Sequence, residues 1–315
     1  MIRTALSPGK LILSGEHAVV QGCPALVMAV NPEAQVTRFP VSGPSLKIQL
    51  PDRKAVHFNL KDLPGHLQAV REAHQKEAAI SPEDLLVACA ALTSPPSGAS
   101  LTFTSEIPLG SGLGSSAAFI LALLKVLQPN ASREQLYSWA VEGESFQHGT
   151  SSGLDVMASL GGGIQKFHSG ESRQLADLHL PQFQVYHSGR PESSTGHCVA
   201  QSQSVFAGNP KLIEKFTTIT EAFISALKIS DMDALHHAVR DNHRYLCELG
   251  VVPAAIQESI LQLEKTGCSA KICGAGSVNG QTAGMVMVLG NANASVPAHW
   301  KPQPITCTRL GTRIT

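Results

Sequence analysis

The sequence predicts an α+β fold in two lobes, and three features of its order and composition predict it. Short strand-like runs fill the first hundred residues, long helical patterns cluster in the middle and second half, and strand-like runs return near the end. At 315 residues, with 43% apolar and 15% charged side chains, the chain is large enough for one big domain or two ordinary ones with sizeable cores.

The elements follow in order. "KLILSG" (10–15) and "PALVMAV" (24–30) are short apolar runs, and "EAQVTRF" (33–39), "SLKIQL" (45–50), "AVHFNL" (55–60) and "SLTFT" (100–104) alternate at a period near two. Such a succession, broken by Pro, Gly and Asp, suits antiparallel pairing. Two helices interrupt it, near 67–79 and at Pro82–Leu92, the second opened by Ser81-Pro82 as N-cap and first-turn pair. Residues 93–98, "TSPPSG", read as a loop. An apolar helix is expected over Ser115–Leu127, and another from Ser132 to about Gln147 with Gln135 completing a capping box.

The polar stretch 168–204 holds the expected boundary, which gives domains of 1–175 and 176–315. Helical patterns cover Lys211–Ile229, 232–249 and 253–265. Strand-like "SAKICGAG" (269–276), "TAGMVMVLG" (282–290) and "ITCTRL" (305–310) close the chain, which has no internal repeat.

Charge removes several function classes. Lys plus Arg and Asp plus Glu are 24 each, so no basic excess exists to neutralise nucleic acid or an anionic membrane. The seven cysteines are odd in number, scattered and without C-x-x-C, which reads as reduced thiols in a cytoplasmic protein. The N-terminal apolar run is too short for a signal peptide, and the longest one, 117–127, holds Lys125 and falls well below the roughly 20 residues of a membrane span.

"PLGSGLGSSAAFILALL", residues 108–124, carries the most chemistry. Gly110, Gly112 and Gly114 alternate before Ser115 and Ser116 open a helix. Glycines let successive N–H groups converge on an anion, and the helix start adds unpaired N–H groups and a positive dipole end. Pro108, Ser111 and Leu113 complete a phosphate cradle. No Lys follows as a P-loop requires, and neither glycine spacing nor a βαβ unit suits a dinucleotide fingerprint. The alternative is a plain turn capped by Ser115 or Ser116. Two further segments join it: "SPGKLILSGEHAVV" (7–20), with Lys10 in a strand and Glu16-His17 at its end, and "KICGAGSVNG" (271–280), a strand running into glycines.

Taken together, the three segments resemble the motifs of the GHMP kinases, and "PGKLILSGEHAVV" is most similar to the mevalonate kinase branch. The second segment matches "P-x-x-x-G-L-G-S-S-A-A" in full. The third departs, since the family usually shows "GAGGGG" where this chain has Gly274-Ala275-Gly276-Ser277-Val278-Asn279-Gly280. The resemblance implies a ribosomal-protein-S5-like first lobe and a ferredoxin-like second lobe. It also implies ATP and Mg²⁺ as cofactors, mevalonate as the small-molecule partner phosphorylated on its 5-hydroxyl for isoprenoid synthesis, and the homodimer common in the family. Phosphomevalonate or another small molecule is the alternative acceptor.

Phosphoryl transfer needs a metal on the phosphates, cations against developing charge, and a group to position or deprotonate the acceptor. Glu142 and Glu144 lie near the end of a helix, where the dipole disfavours carboxylates unless they bind something. The resemblance assigns the metal to Glu144 with Ser116 (or Ser115), and leaves Glu142 on the surface. Asp155 in "SSGLD" reads equally as an N-cap or as a base; the resemblance makes it the catalytic aspartate, with Lys10 beside it. Glu16, His17 and Thr195 of "ESSTGH" are the implied substrate-side residues, and Gly274, Ala275 and Gly276 the implied third nucleotide segment.

Two rivals come from other classes. Gly149-Thr150-Ser151-Ser152-Gly153 fits G-x-S-x-G, which would make Ser151 a hydrolase nucleophile with His236, His237 or His243 as partner. That elbow needs a strand upstream, whereas Leu136, Trp139 and Ala140 recur at helical spacing. A non-catalytic binding protein of the same fold is the other.

Overall fold

The computed structural model describes residues 1–315 apart from 96, 109, 150 and 292–295 and the side chain of 148. Pro96 of the 93–98 loop, Leu109 of the glycine-rich segment and Thr150 of the G-x-S-x-G pattern therefore lie outside the described residues.

Two long antiparallel strands organise the first sheet: β1 (Arg3–Ser14) and β2 (Ala25–Pro40). The second half of β2 pairs with β5 (Ala99–Ser105), which carries β3 (Ser45–Gln49) in parallel and, beyond it, β4 (Val56–Asn59). The first half of β2 pairs instead with β6 (Ile164–His168), which carries β7 (Glu171–Gln174). Expected separate strands at 24–30 and 33–39 are thus one strand. Its register with β1 jumps from Pro8↔Glu33 to Gly9↔Val30, so a bulge absorbs the Asn31-Pro32 break that the sequence presents.

Helices α1 (Leu63–Gln75) and α2 (Pro82–Leu92) pack together beside the sheet. The first begins four residues before the expected 67, because Pro64 is tolerated in the first turn, where N–H groups have no intrahelical acceptor. Helix α3 (Ser115–Leu127) is apolar around most of its circumference and correspondingly buried, with Phe119 packed against the first-lobe core and against the cluster in which the first sheet meets the second lobe. Helix α4 (Arg133–His148) opens with the expected capping box, and α5 (Leu154–Gly161) follows it.

A second, four-stranded antiparallel sheet has the order β11 (Lys301–Gln303), β8 (Phe183–His187), β10 (Met285–Leu289), β9 (Ser269–Cys273). In its own strand numbers that is 4-1-3-2, the ferredoxin-like arrangement. Helices α6 (Thr195–Gly208), α7 (Lys211–Ile229), α8 (Met232–Glu248) and α9 (Ala254–Glu264) fill the connection from β8 to β9.

The chain changes sheets between β7 and β8, but its tail goes back. Strand β12 (Arg313–Ile314) pairs with Ala5 and Leu6 of β1, so the last residues of the expected 176–315 domain belong to the first sheet. The 305–310 run is no strand; within it Cys307 makes an isolated bridge to Val30. Among the described residues no helix is long and apolar enough to cross a membrane.

Candidate active site

The first strand reaches the glycine-rich segment through its bulge. A Cβ on Gly9 would lie 2.9 Å from the Leu113 carbonyl oxygen, which accepts the Lys10 N–H at 2.9 Å. The Lys10 side chain then runs alongside Gly114, where a Cβ would come within 2.8 Å of Lys10 Cγ. Gly114 has φ +71° and is the N-cap of α3. These contacts deliver Lys10 Nζ to 3.2 Å from Asp155 Oδ2, with the lysine buried and the aspartate one-third exposed. Asp155 is not the N-cap of α5; Gly153 is, and Asp155 sits in the first turn, where the helix dipole favours a carboxylate.

Beside this pair, Ser116 in the first turn of α3 donates its hydroxyl to Glu144 of α4. Ser116 Oγ also lies 2.6 Å from Gln147 Oε1, so three oxygens share one hydroxyl proton. Glu144 is 5% exposed, and its carboxyl is pushed up to about 7, first by burial and then by the charge of Asp155; the Ser116 bond and Lys10 pull the other way. A buried carboxylate short of positive charge, within an all-oxygen set, fits Mg²⁺, which takes one or two carboxylates and leaves the remaining positions to water and phosphate. Among the described residues no group of three or more His, Cys, Asp or Glu forms a complete cage, so phosphate oxygens would have to supply part of the shell. Ser115 does not share this bond, and Glu142 pairs on the surface with Arg71 at 2.6 Å.

The third segment packs on the second. A Cβ on Gly112 would lie 3.3 Å from the Cys273 carbonyl, and one on Gly274 3.6 Å from the Gly112 carbonyl. Ser111 donates its hydroxyl to the Pro108 carbonyl at 2.7 Å.

Glu16 and His17, expected on the substrate side, lie where the first strand meets the second sheet. Glu16 is buried in an ion pair with Lys271 of β9, and His17 Nε2 lies 3.0 Å from the Ala275 carbonyl oxygen. Each spends one polar atom on joining the first strand to the second sheet, while among the described residues Glu16 Oε2 and His17 Nδ1 are buried without a partner; burial pushes His17 down to about 4 and therefore neutral at pH 7. Thr195 is exposed as the first residue of α6, with Ser194 as its N-cap.

The hydrolase reading fails on context. Gly149–Gly153 links α4 to α5, so a helix and not a strand precedes Ser151, whose Oγ accepts the Gly153 N–H at 3.2 Å in a local turn.

Three residues escaped sequence reasoning. Gln147 lies three positions after Glu144 on one helix face, a spacing that was available as a signal. Lys271 is separated from Glu16 by 255 positions, and no local pattern announces it. Arg190, after β8, lies over the phosphate loop, 3.6 Å through Nε from a Cβ placed on Gly110. A separate groove of about 690 Å³ between α7 and α8, lined by Thr218, Ala222, Ala234 and Asp241 among others, includes none of these groups.

The sequence model of the GHMP kinases N terminal domain matches residues 80–163, which span α2 to the end of α5. The mevalonate kinase of Archaeoglobus fulgidus is 30% identical over 284 residues, covering 86% of this chain and 88% of its own. The crystal structure of the Methanococcus jannaschii mevalonate kinase has the same fold, with a TM-score of 0.75 at 20% identity over 93% of this chain and 91% of that one. So does L. major mevalonate kinase in complex with R-mevalonate, with a TM-score of 0.68 at 21% identity over 96% and 94%.

Proposed function

The chain belongs to the GHMP kinase family, alongside the mevalonate kinases, and from that premise we propose that it transfers the terminal phosphoryl group of ATP to the 5-hydroxyl of mevalonate. The observation that carries the reading is the Lys10–Asp155 pair, 3.2 Å apart, with Lys10 held against Gly114 of the phosphate loop.

The backbone N–H groups from Gly110 to Ser116 and the start of α3 bind the polyphosphate, aided by the dipole of a buried helix. Ser116 and Glu144, with Gln147 adjacent, would hold Mg²⁺, which supplies charge neutralisation on the phosphate oxygens when bound. Asp155 accepts the proton of the acceptor hydroxyl as its oxygen attacks the terminal phosphorus. Lys10 stabilises the negative charge that the transfer moves between the nucleotide and Asp155. Glu16 and His17 form the wall behind Lys10 by locking the first strand to the second sheet. Thr195, at the exposed start of α6, is the remaining acceptor-side hydroxyl. Seven cysteines without a disulfide fit a reducing cytoplasm.

Release of ADP with mevalonate, phosphomevalonate, homoserine and galactose in parallel tests the proposal. Turnover that depends on mevalonate is expected; turnover with another acceptor alone would reassign the substrate, and none with any would remove the activity.

A further inference from the structure

Where glycines would give a bare third loop, this chain has Ser277, fully buried between β9 and β10. The Ser277 N–H donates to the Val251 carbonyl at 2.9 Å, and its hydroxyl donates to the Asn279 carbonyl at 2.6 Å. The same Oγ accepts the N–H of Ser193 at 3.0 Å. Ser193 answers in kind: its Oγ accepts the N–H groups of Val278 at 3.1 Å and Asn279 at 3.3 Å. Two serines 84 positions apart thus satisfy each other's loops reciprocally, as a capping box does within a helix.

The segment so held lies against the phosphate loop. The Thr282 hydroxyl donates to the Arg190 carbonyl at 2.6 Å and fixes the near end, while Ser193 fixes the far end. Between them, Pro191 packs beside Gly284, at which a Cβ would meet the Ser111 carbonyl at 2.9 Å. Arg190 reaches across Gly110. A guanidinium beside this glycine-rich loop suits an anionic polyphosphate, because its planar donor fork pairs with phosphate oxygens.

We propose that Ser193 and Ser277 form a clasp that positions residues 190–193 over the glycine-rich loop and so sets the grip on the nucleotide. Both are positioning residues that act through Arg190. The inference rests on the phosphotransfer reading above and deepens it.

Calorimetric titration of the full chain with ATP and excess Mg²⁺, together with steady-state kinetics, tests the clasp. Ser193→Ala, half-buried and tolerant of truncation, should weaken ATP binding and raise KM for ATP about tenfold, the worth of two lost hydrogen bonds. KM for mevalonate should move by less than about twofold. Ser193→Thr, which keeps the hydroxyl, should restore most of the affinity. In an Arg190→Gln background, Ser193→Ala should add nothing, because the serine acts through that guanidinium. The clasp is overturned if Ser193→Ala lowers the melting temperature yet binds ATP as tightly as the parent, or if its effect multiplies with that of Arg190→Gln. A parent that phosphorylates mevalonate beside a Ser193→Ala variant of undiminished affinity refutes the clasp alone. A parent inactive on mevalonate whose Ser193→Ala variant still loses ATP refutes the acceptor and leaves the clasp standing.

Discussion

Glu16, just beyond the end of β1, and Lys271, in β9, form an ion pair in which neither side chain is more than 1% exposed. The ammonium also donates to the Ile272 carbonyl at 2.8 Å, whereas Glu16 Oε2 is buried with no partner among the described residues. Burial raises the Glu16 carboxyl's pKa, and the charge of Lys271 holds it back. The pair joins the chain just after β1 to β9 of the second sheet, near enough to Lys10 for its charge also to act on Glu16.

Breaking one half of this pair leaves an uncompensated charge in the interior. Glu16→Gln and Lys271→Met should each cost about 3–5 kcal/mol, and the double variant should recover part of that loss. Urea unfolding of the three proteins measures it. Single variants within about 1 kcal/mol of the parent would mean that the pair is solvated.

Gly114→Ala should damage both binding and chemistry. The added methyl would occupy the space of Lys10 Cγ in a left-handed conformation that costs a non-glycine residue about 1–2 kcal/mol. Lys10 must then move from Asp155. ATP titration should show affinity down at least about tenfold, and turnover should fall with it. A variant with both unchanged would show that Lys10 is not held by this contact.

Acid should act through His243, on α8. Burial, then the charges of Lys271 and Arg244, push it down to about 4 from the ordinary 6.5. A histidine lowered in the folded state contributes stability that is present above pH 6.5 and is lost as pH falls through 4. Glu144, raised to about 7, works oppositely, contributing stability that is present below 4.5 and lost as pH rises through 7, so a comparison isolates the histidine. Between pH 7 and 4, His243→Gln should lose about 3 kcal/mol less unfolding free energy than the parent. Parallel losses in guanidinium titrations at the two pH values would contradict the buried neutral imidazole.

What the sequence displayed was local chemistry. Ser115–Leu127 was legible because its apolar content needs no partner to be recognised, and Ser132 with Gln135 because a capping box is complete within four residues. Lys10, the glycine loop and Asp155 each announced themselves by neighbours in sequence, although their meeting is a property of the fold. The rest was carried by contacts without a local trace. Punctuation at Pro8-Gly9 and Asn31-Pro32 suggests strand ends, yet a single bulge, where these two dipeptides face each other, carries both strands through. The return of β12 to β1 spans 309 positions at Ala5↔Ile314 and rests on a two-residue strand too short for any periodicity. The pairing of Glu16 with Lys271 is visible only when the sheets are stacked.

Asp155→Asn provides the most direct test. Rapid-quench measurement of phosphoryl transfer to mevalonate, alongside ATP titration of the same variant, separates chemistry from binding. Loss of the accepting carboxylate should slow transfer roughly a thousandfold while ATP affinity stays within about twofold of the parent. Transfer at the parent's rate would contradict the assignment of the acceptor's proton to this carboxylate.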